Sequence, residues 1–224
     1  LTDPGTPVEN PSLDVRDLGA GWPGSAEVVT GLSFRVRAGE KVALVGPSGI
    51  GKTTVAATVL GLIPARHGTV TTHGRIGYLA QDAHIFTTTI TENVRIGNRD
   101  ASDADIADAL ARAGLDLDPK RQVGEGGESL SGGEARRVAL SRLLVDDYQV
   151  MILDEPTLGL DILSRKSFYE MLVEEWCDGE RSVLISTHQV EEIETLLSDV
   201  LMLNEGKLVL AISLADIDRR FVAL

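Results

Sequence analysis

An α/β fold built on a mostly parallel sheet, with an antiparallel β portion toward the N terminus, is predicted by three features of the 224-residue chain. Apolar runs of strand length alternate with helical patterns, the order that buries a parallel sheet between helices. One of these runs, residues 42–45, leads through Gly46-Pro47-Ser48-Gly49-Ile50-Gly51-Lys52-Thr53-Thr54 into a helical pattern over 55–62. Strand, glycine-rich loop and helix in that order form a phosphate-binding loop, whose N–H groups and helix N-terminus attract phosphate oxygens. Residues 13–18 and 32–36 alternate apolar and polar side chains, as half-buried antiparallel strands do.

Composition narrows the function. Thirty-four acidic residues against 21 basic ones leave a net charge of −13, which disfavours nucleic acid as a partner. Against that acidic background the loop must generate its positive potential locally, and Lys52 and the helix N-terminus are placed to do so. Cys177 is the only cysteine, so no internal disulfide forms, and it falls in the pattern of residues 168–176 as a small helix-core side chain. No apolar run approaches the ~20 residues that span a bilayer, and no signal peptide is expected. The chain opens at Leu1, and residues 2–11 contain Pro, Gly and Thr. The expected organisation is a linker over 1–12 followed by one domain over 13–224, cut from a longer polypeptide.

Taken in order, Trp22-Pro23-Gly24 separates the first two strands, and Gly61 and Pro64 stop the first helix. Residues 69–72 and 75–79 follow as a strand pair joined at His73-Gly74, and Gln81 comes directly after. Residues 103–113 carry Ile106 and Leu110 at helical spacing and end at Gly114. The glycine-rich passage 124–134 opens a helix bearing Val138, Leu140, Leu143 and Leu144. The apolar strand 150–153 ends in Asp154-Glu155. A helix over 163–177, a strand over 182–186 with His188 beyond it, and a hairpin of 200–203 with 207–210 complete the sheet. A short helix from about Leu214 closes the chain.

Individual residues carry chemistry. Lys52 is placed to reach β- and γ-phosphates and the Thr53 hydroxyl to hold Mg²⁺, so the loop is a nucleoside triphosphate site. Asp154 at a strand end suits the Mg²⁺ shell or its waters. Ser131 at a helix start is explained by capping alone, whereas Gly132 and Gly133 inside the first turn weaken the helix unless something approaches the backbone.

In sum, Gln81, Leu130-Ser131-Gly132-Gly133-Glu134, Asp154-Glu155, Asp161 and His188, in this order after the loop, resemble the nucleotide-binding domain of ABC transporters over residues 13–210. The resemblance implies a P-loop NTPase with a RecA-like core, an antiparallel β subdomain and a short helical signature subdomain at about 82–145. It implies that Glu155 polarises the attacking water, that His188 contacts the γ-phosphate, and that Gln81 contacts Mg²⁺ and links the site to a membrane domain. Ser131, Gly132 and Gly133 would reach ATP held by a second copy, with Asp161 crossing that interface in a head-to-tail dimer. Trp22 is either the aromatic that stacks on adenine, where the family usually has Tyr, or a core residue.

Gln81 to Phe86 with Thr89-Ile90-Thr91-Glu92-Asn93, and Val123-Gly124-Glu125-Gly126-Gly127, resemble the exporter branch. Trp22-Pro23-Gly24 and the short 114–123 stretch resemble the thiol exporters tied to cytochrome bd assembly, the CydC/CydD type. The resemblance implies ATP and Mg²⁺, a transmembrane domain fused upstream, a homo- or heterodimer, and a place on the cytoplasmic face of the inner membrane. Residues 114–123 lack the longer apolar segment of many exporters, and 163–169 with 189–193 resemble other ABC branches. Two rival readings remain. A soluble ABC protein of DNA repair, chromosome structure or translation conflicts with the single short helix between loop and signature and with the single cassette. A subunit without turnover conflicts with the intact Lys52, Asp154, Glu155, Ser131 and His188.

Overall fold

The computed structural model describes residues 12–176, 181–190 and 193–216. The expected linker, apart from Ser12, lies outside them, as do Cys177, Glu191, Glu192 and all but the first residues of the closing helix, 214–216. Two sheets form. Strands β1 (Leu13–Ala20), β2 (Val29–Val36) and β4 (His67–Thr72) make an antiparallel sheet in the order β2-β1-β4. The larger sheet runs β5 (Ile76–Leu79), β6 (Val150–Asp154), β7 (Ser182–Thr187), β3 (Lys41–Val45), β8 (Asp199–Asn204), β9 (Lys207–Ser213). Its first five strands are parallel and only β9 turns back, as the second arm of the expected hairpin.

Alternation along the central strands divides the core. Val42 and Leu44 of β3, Ile152 of β6 and Leu184 of β7 face helix α1 (Lys52–Val59) and the antiparallel sheet. Their neighbours Ala43, Val45, Met151, Leu153, Val183 and Ile185 face the opposite layer. That layer contains α2 (Ile90–Arg95), α3 (Asp103–Arg112), α4 (Gly132–Leu144) and α5 (Ile162–Trp176). Both faces of the parallel strands are covered, which is why they are apolar throughout rather than alternating.

Residues 69–72 and 75–79 do not pair with each other. The first belongs to β4 and bonds to β1; the second becomes β5 and bonds to β6. The link at His73-Gly74 is therefore a crossing between sheets, not a hairpin turn. The reason is burial: β5 sends Leu79 into one core and packs Ile76 and Tyr78 against the other, whereas β4 is largely exposed. Arg75 anchors the crossing, since its N–H donates to Gln149 Oε1 at 2.7 Å and its guanidinium pairs with Asp146.

Helix α1 spans Lys52–Val59, three residues earlier at each end than the expected 55–62, because the loop itself ends in the helix cap Gly51 and Gly61, φ 72°, follows the C-cap Leu60. The short α2 was not foreseen. Thr89 caps it by accepting from Glu92 N–H at 3.1 Å. Phe168 on α5 is fully buried and is among the largest such side chains. Phe168→Ala should destabilise the fold by about 3–5 kcal/mol, measured as a fall in the urea unfolding midpoint with an unchanged m-value.

Candidate functional site

Because β5, β6, β7 and β3 run parallel, their carboxyl ends share one edge of the sheet. The glycine loop follows β3, Gln81 follows β5, Glu155 follows β6 and His188 follows β7. Ligands of open parallel sheets sit beyond that edge. A cavity of ≈ 440 Å³ opens there, lined by Trp22, Val28, Ser48, Gly49, Gly51, Lys52, Thr53, Thr54, Gln81, Glu155, Leu158 and His188.

Gly51 caps α1 at φ 114°, and a Cβ there would stand 2.6 Å from Val29 Cγ2. Only glycine meets both conditions. No side chain caps α1 and its first turn holds no acidic residue, so its N–H groups and dipole are directed at the cavity without a competing carboxylate from the helix.

Lys52 is buried, and its ammonium donates to the carbonyls of Gly46 at 2.7 Å and Pro47 at 3.2 Å. It also lies 3.0 Å from Glu155 Oε1. The other carboxylate oxygen, Oε2, is 2.8 Å from His188 Nδ1. Lys52, Glu155 and His188 thus form one chain of charged and polar groups through a buried carboxylate, which satisfies a charge that would otherwise be costly to bury. Glu155 adopts φ 43°, an uncommon region for a non-glycine residue. Its N–H donates to both Ser186 O and Ser186 Oγ, at 3.0 and 3.1 Å.

Asp154 is completely buried behind this wall. Ser186 Oγ donates to its Oδ1, and the Tyr78 hydroxyl lies 3.4 Å from Oδ2. Burial, helped by the Asp154 charge, pushes the Tyr78 phenol up to about 12, so Tyr78 remains a donor. Trp22 is not a core residue: it is 47% exposed and forms part of the cavity wall. Its carbonyl accepts from Ser25 N–H and Ser25 Oγ–H, which closes the turn that presents the ring.

Ser131, Gly132, Gly133 and Asp161 do not line this cavity. Ser131 and Glu134 form a reciprocal capping box at the start of α4. That accounts for Ser131, but Gly132 and Gly133 have no positive φ, and a Cβ on either would meet no atom closer than 3.5 Å. Nothing among the described residues requires glycine at these two positions. Asp161 accepts from the N–H groups of Leu163 and Ser164 and from Ser164 Oγ, which holds its carboxyl below the usual range. It is flanked by the strongly exposed Ile162 and Leu163.

Sequence reasoning missed Tyr78, Ser186 and Arg136. Ser186 and Tyr78 reach Asp154 across strands, and no spacing in the chain signals that. Arg136 left a faint signal, since it occupies the buried face of α4 with Ala139, Leu140 and Leu143.

The family model described as ABC transporter matches residues 29–158. The glutathione/L-cysteine transport system ATP-binding/permease protein CydD of Bacillus subtilis is 33% identical over 219 residues, covering 89% of this chain and 38% of that protein. The Nod factor export ATP-binding protein I of Burkholderia orbicola is 36% identical, covering 87% of this chain and 68% of its own length. Among solved structures, a bacterial Atm1-family ABC exporter with ATP bound matches at a TM-score of 0.84 and 29% identity, over 97% of this chain and 41% of that one. The chain therefore spans well under half the length of CydD and of the exporter.

Gly51→Ala tests the loop directly. The added methyl group should cost roughly 1–3 kcal/mol of stability through backbone strain. It should also remove triphosphate binding in a calorimetric titration, while Gly61→Ala, strained at φ 72° but outside the cavity lining, should leave binding intact.

Proposed function

The chain belongs to the ABC transporter family, and from that premise we propose that it is the ATP-hydrolysing domain of an exporter, driving transport by ATP-dependent dimerisation. The observation that carries the reading is the meeting of Lys52, Glu155 and His188 in one cavity at the ends of three parallel strands. A nucleotide's triphosphate fits along the glycine loop and the start of α1, with its terminal phosphate against Lys52. Trp22 at the cavity wall then offers an exposed ring face to adenine.

In this reading Glu155 takes the proton of the attacking water as its oxygen bonds to the γ-phosphorus and the bond to the ADP oxygen breaks. His188 holds the Glu155 carboxylate in place and meets the γ-phosphate. Lys52 leaves its pairing with Glu155 as the phosphates arrive, so the same ammonium serves both states.

Mg²⁺ is part of the proposal. Among the described residues no cluster of three or more His, Cys, Asp or Glu is placed to hold a metal. The oxygen donors Thr53, Gln81 and Asp154 suit a hard cation that keeps most of its waters and takes the rest of its ligands from phosphate. The ion would neutralise charge on the phosphates.

Ser131, Gly132 and Gly133 point the proposal outward. A capped helix start with two unneeded glycines leaves N–H groups open to an anion that this copy does not itself hold. A second copy or a related chain, docked head-to-tail, supplies that anion as its own bound ATP, with Asp161 at the shared boundary. The membrane-spanning part would be a separate domain of the longer protein, with this domain on the cytoplasmic face. Among the described residues no helix is long and apolar enough to cross a membrane. Relatives at similar identity bear names with different cargoes, glutathione/L-cysteine, Nod factor and iron-sulfur clusters among them, so the reading extends to the exporter class and stops short of a substrate.

Two tests follow from this geometry. Trp22→Ala should weaken ATP binding by ~1–3 kcal/mol, as loss of base–aromatic stacking does elsewhere, in a titration that leaves triphosphate alone unaffected. Glu155→Gln preserves shape but removes the proton acceptor, so with Mg²⁺ and ATP the variant should accumulate as a dimer by light scattering, and not with ADP. Adding Ser131→Arg should return it to monomer while ATP still binds. If Glu155→Gln keeps wild-type turnover, the proposed mechanism fails.

A further inference from the structure

Arg136 is a buried cation that the mechanism above does not use. It sits in α4, one turn beyond Gly132-Gly133, with only 8% of its surface exposed. Its guanidinium donates three hydrogen bonds, all to backbone carbonyls: Nε to Pro156 at 2.6 Å, Nη1 to Ala80 at 2.8 Å and Nη2 to Glu155 at 2.8 Å. Burial pulls its proton affinity down, and the Asp154 and Asp82 charges act the other way. Burying a charge costs desolvation free energy, which these three carbonyl hydrogen bonds offset. What the guanidinium adds is geometry, because its planar fork fixes the carbonyls of two separate segments relative to one helix.

Those segments are the ones that matter for hydrolysis. Ala80 directly precedes Gln81. Glu155 is held in its left-handed conformation from both sides: Ser186 accepts from its N–H, while its carbonyl accepts from Arg136 and from Leu158 N–H. Rotation of that backbone would carry the carboxylate away from His188 and the cavity.

We propose that Arg136 is a positioning residue that locks the orientation of Glu155 to the position of α4, so that engagement of the outward-facing start of α4 is transmitted to the proton acceptor. The inference rests on the ATPase reading of the site. Arg136 itself does not line the cavity. It makes the hydrolytic strand end and the signature helix move as one piece, and it brings the segment leading to Gln81 with them.

The test is steady-state and single-turnover ATP hydrolysis by this chain with Arg136 replaced, alongside equilibrium ATP binding. Arg136→Met should lower kcat about 10- to 100-fold, the range for a misplaced catalytic group, with the ATP Kd changed by less than about threefold. Arg136→Lys should recover part of the loss, since an ammonium can bond some of the same carbonyls. In a Glu155→Gln background, Arg136→Met should change the residual single-turnover rate by less than about twofold, because the group it positions is already gone. A loss of equal size in both backgrounds would make Arg136 a structural residue and overturn the proposal. So would an unchanged kcat, or a loss of ATP binding that accounts for the loss of rate. If Arg136→Met does not fold, Arg136→Gln and Arg136→Lys carry the same readouts. Wild-type turnover in Glu155→Gln alone would instead sink the catalytic reading of Glu155, an outcome separable from any behaviour of Arg136.

Discussion

Parallel pairing of β3, β7 and β6 is the constraint on which everything at the proposed site depends. Val45 lies opposite Thr187, and Ser186 opposite Asp154, so three chain segments leave the sheet at the same level and on the same edge. Parallel strands require crossover connections, and the helices that make them cover both faces. The apolar content of the central strands is therefore a consequence of the same arrangement that aligns Lys52, Glu155 and His188. A slip of one residue in β6 would exchange Met151 and Leu153 with Ile152 between the two cores, and it would turn Asp154 and Glu155 to the wrong sides.

The electrostatics follow from that alignment. A chain with net charge −13 concentrates two adjacent carboxylates, one fully buried, at the site proposed for polyphosphate. Each has its own partners: Ser186 and Tyr78 for Asp154, Lys52 and His188 for Glu155. The division keeps both carboxylates satisfied without a surplus of positive charge. It also leaves Lys52 paired with Glu155, so in the proposed function ATP binding competes with an internal ion pair.

The other half of the constellation faces away. Gly132, Gly133 and Asp161 lie outside the cavity; a Cβ on Gly132 would meet open space and one on Gly133 only an ordinary contact with Ser164. Exposed Ile162 and Leu163 sit beside Asp161. In the proposed head-to-tail dimer this surface would meet the ATP held by the second copy. α4 joins the two halves, since it starts at the open surface and carries Arg136 to the back of Glu155.

Much of this was legible in the chain because local sequence specified it. The loop between β3 and α1, the acidic end of β6, His188 after β7 and the glycines opening α4 each lie within a few residues of the strand or helix that positions them. Helix limits moved by only a few residues: α5 spans Ile162–Trp176 where 163–177 was expected. What the chain could not reveal were choices made by burial between distant segments. His73-Gly74 has turn chemistry, yet β5 leaves β4 because its side chains need two covered faces, and only the large sheet provides them. Trp22 could have gone inward, and only the packing of the first strands put it on the cavity wall. Tyr78, Ser186 and Arg136 lie 76, 32 and 19 residues from the groups they hold, so no spacing encodes them. Sequence by itself determined the chemistry available at each strand end; tertiary structure decided which of those groups meet, because only the shared core brings the strands side by side.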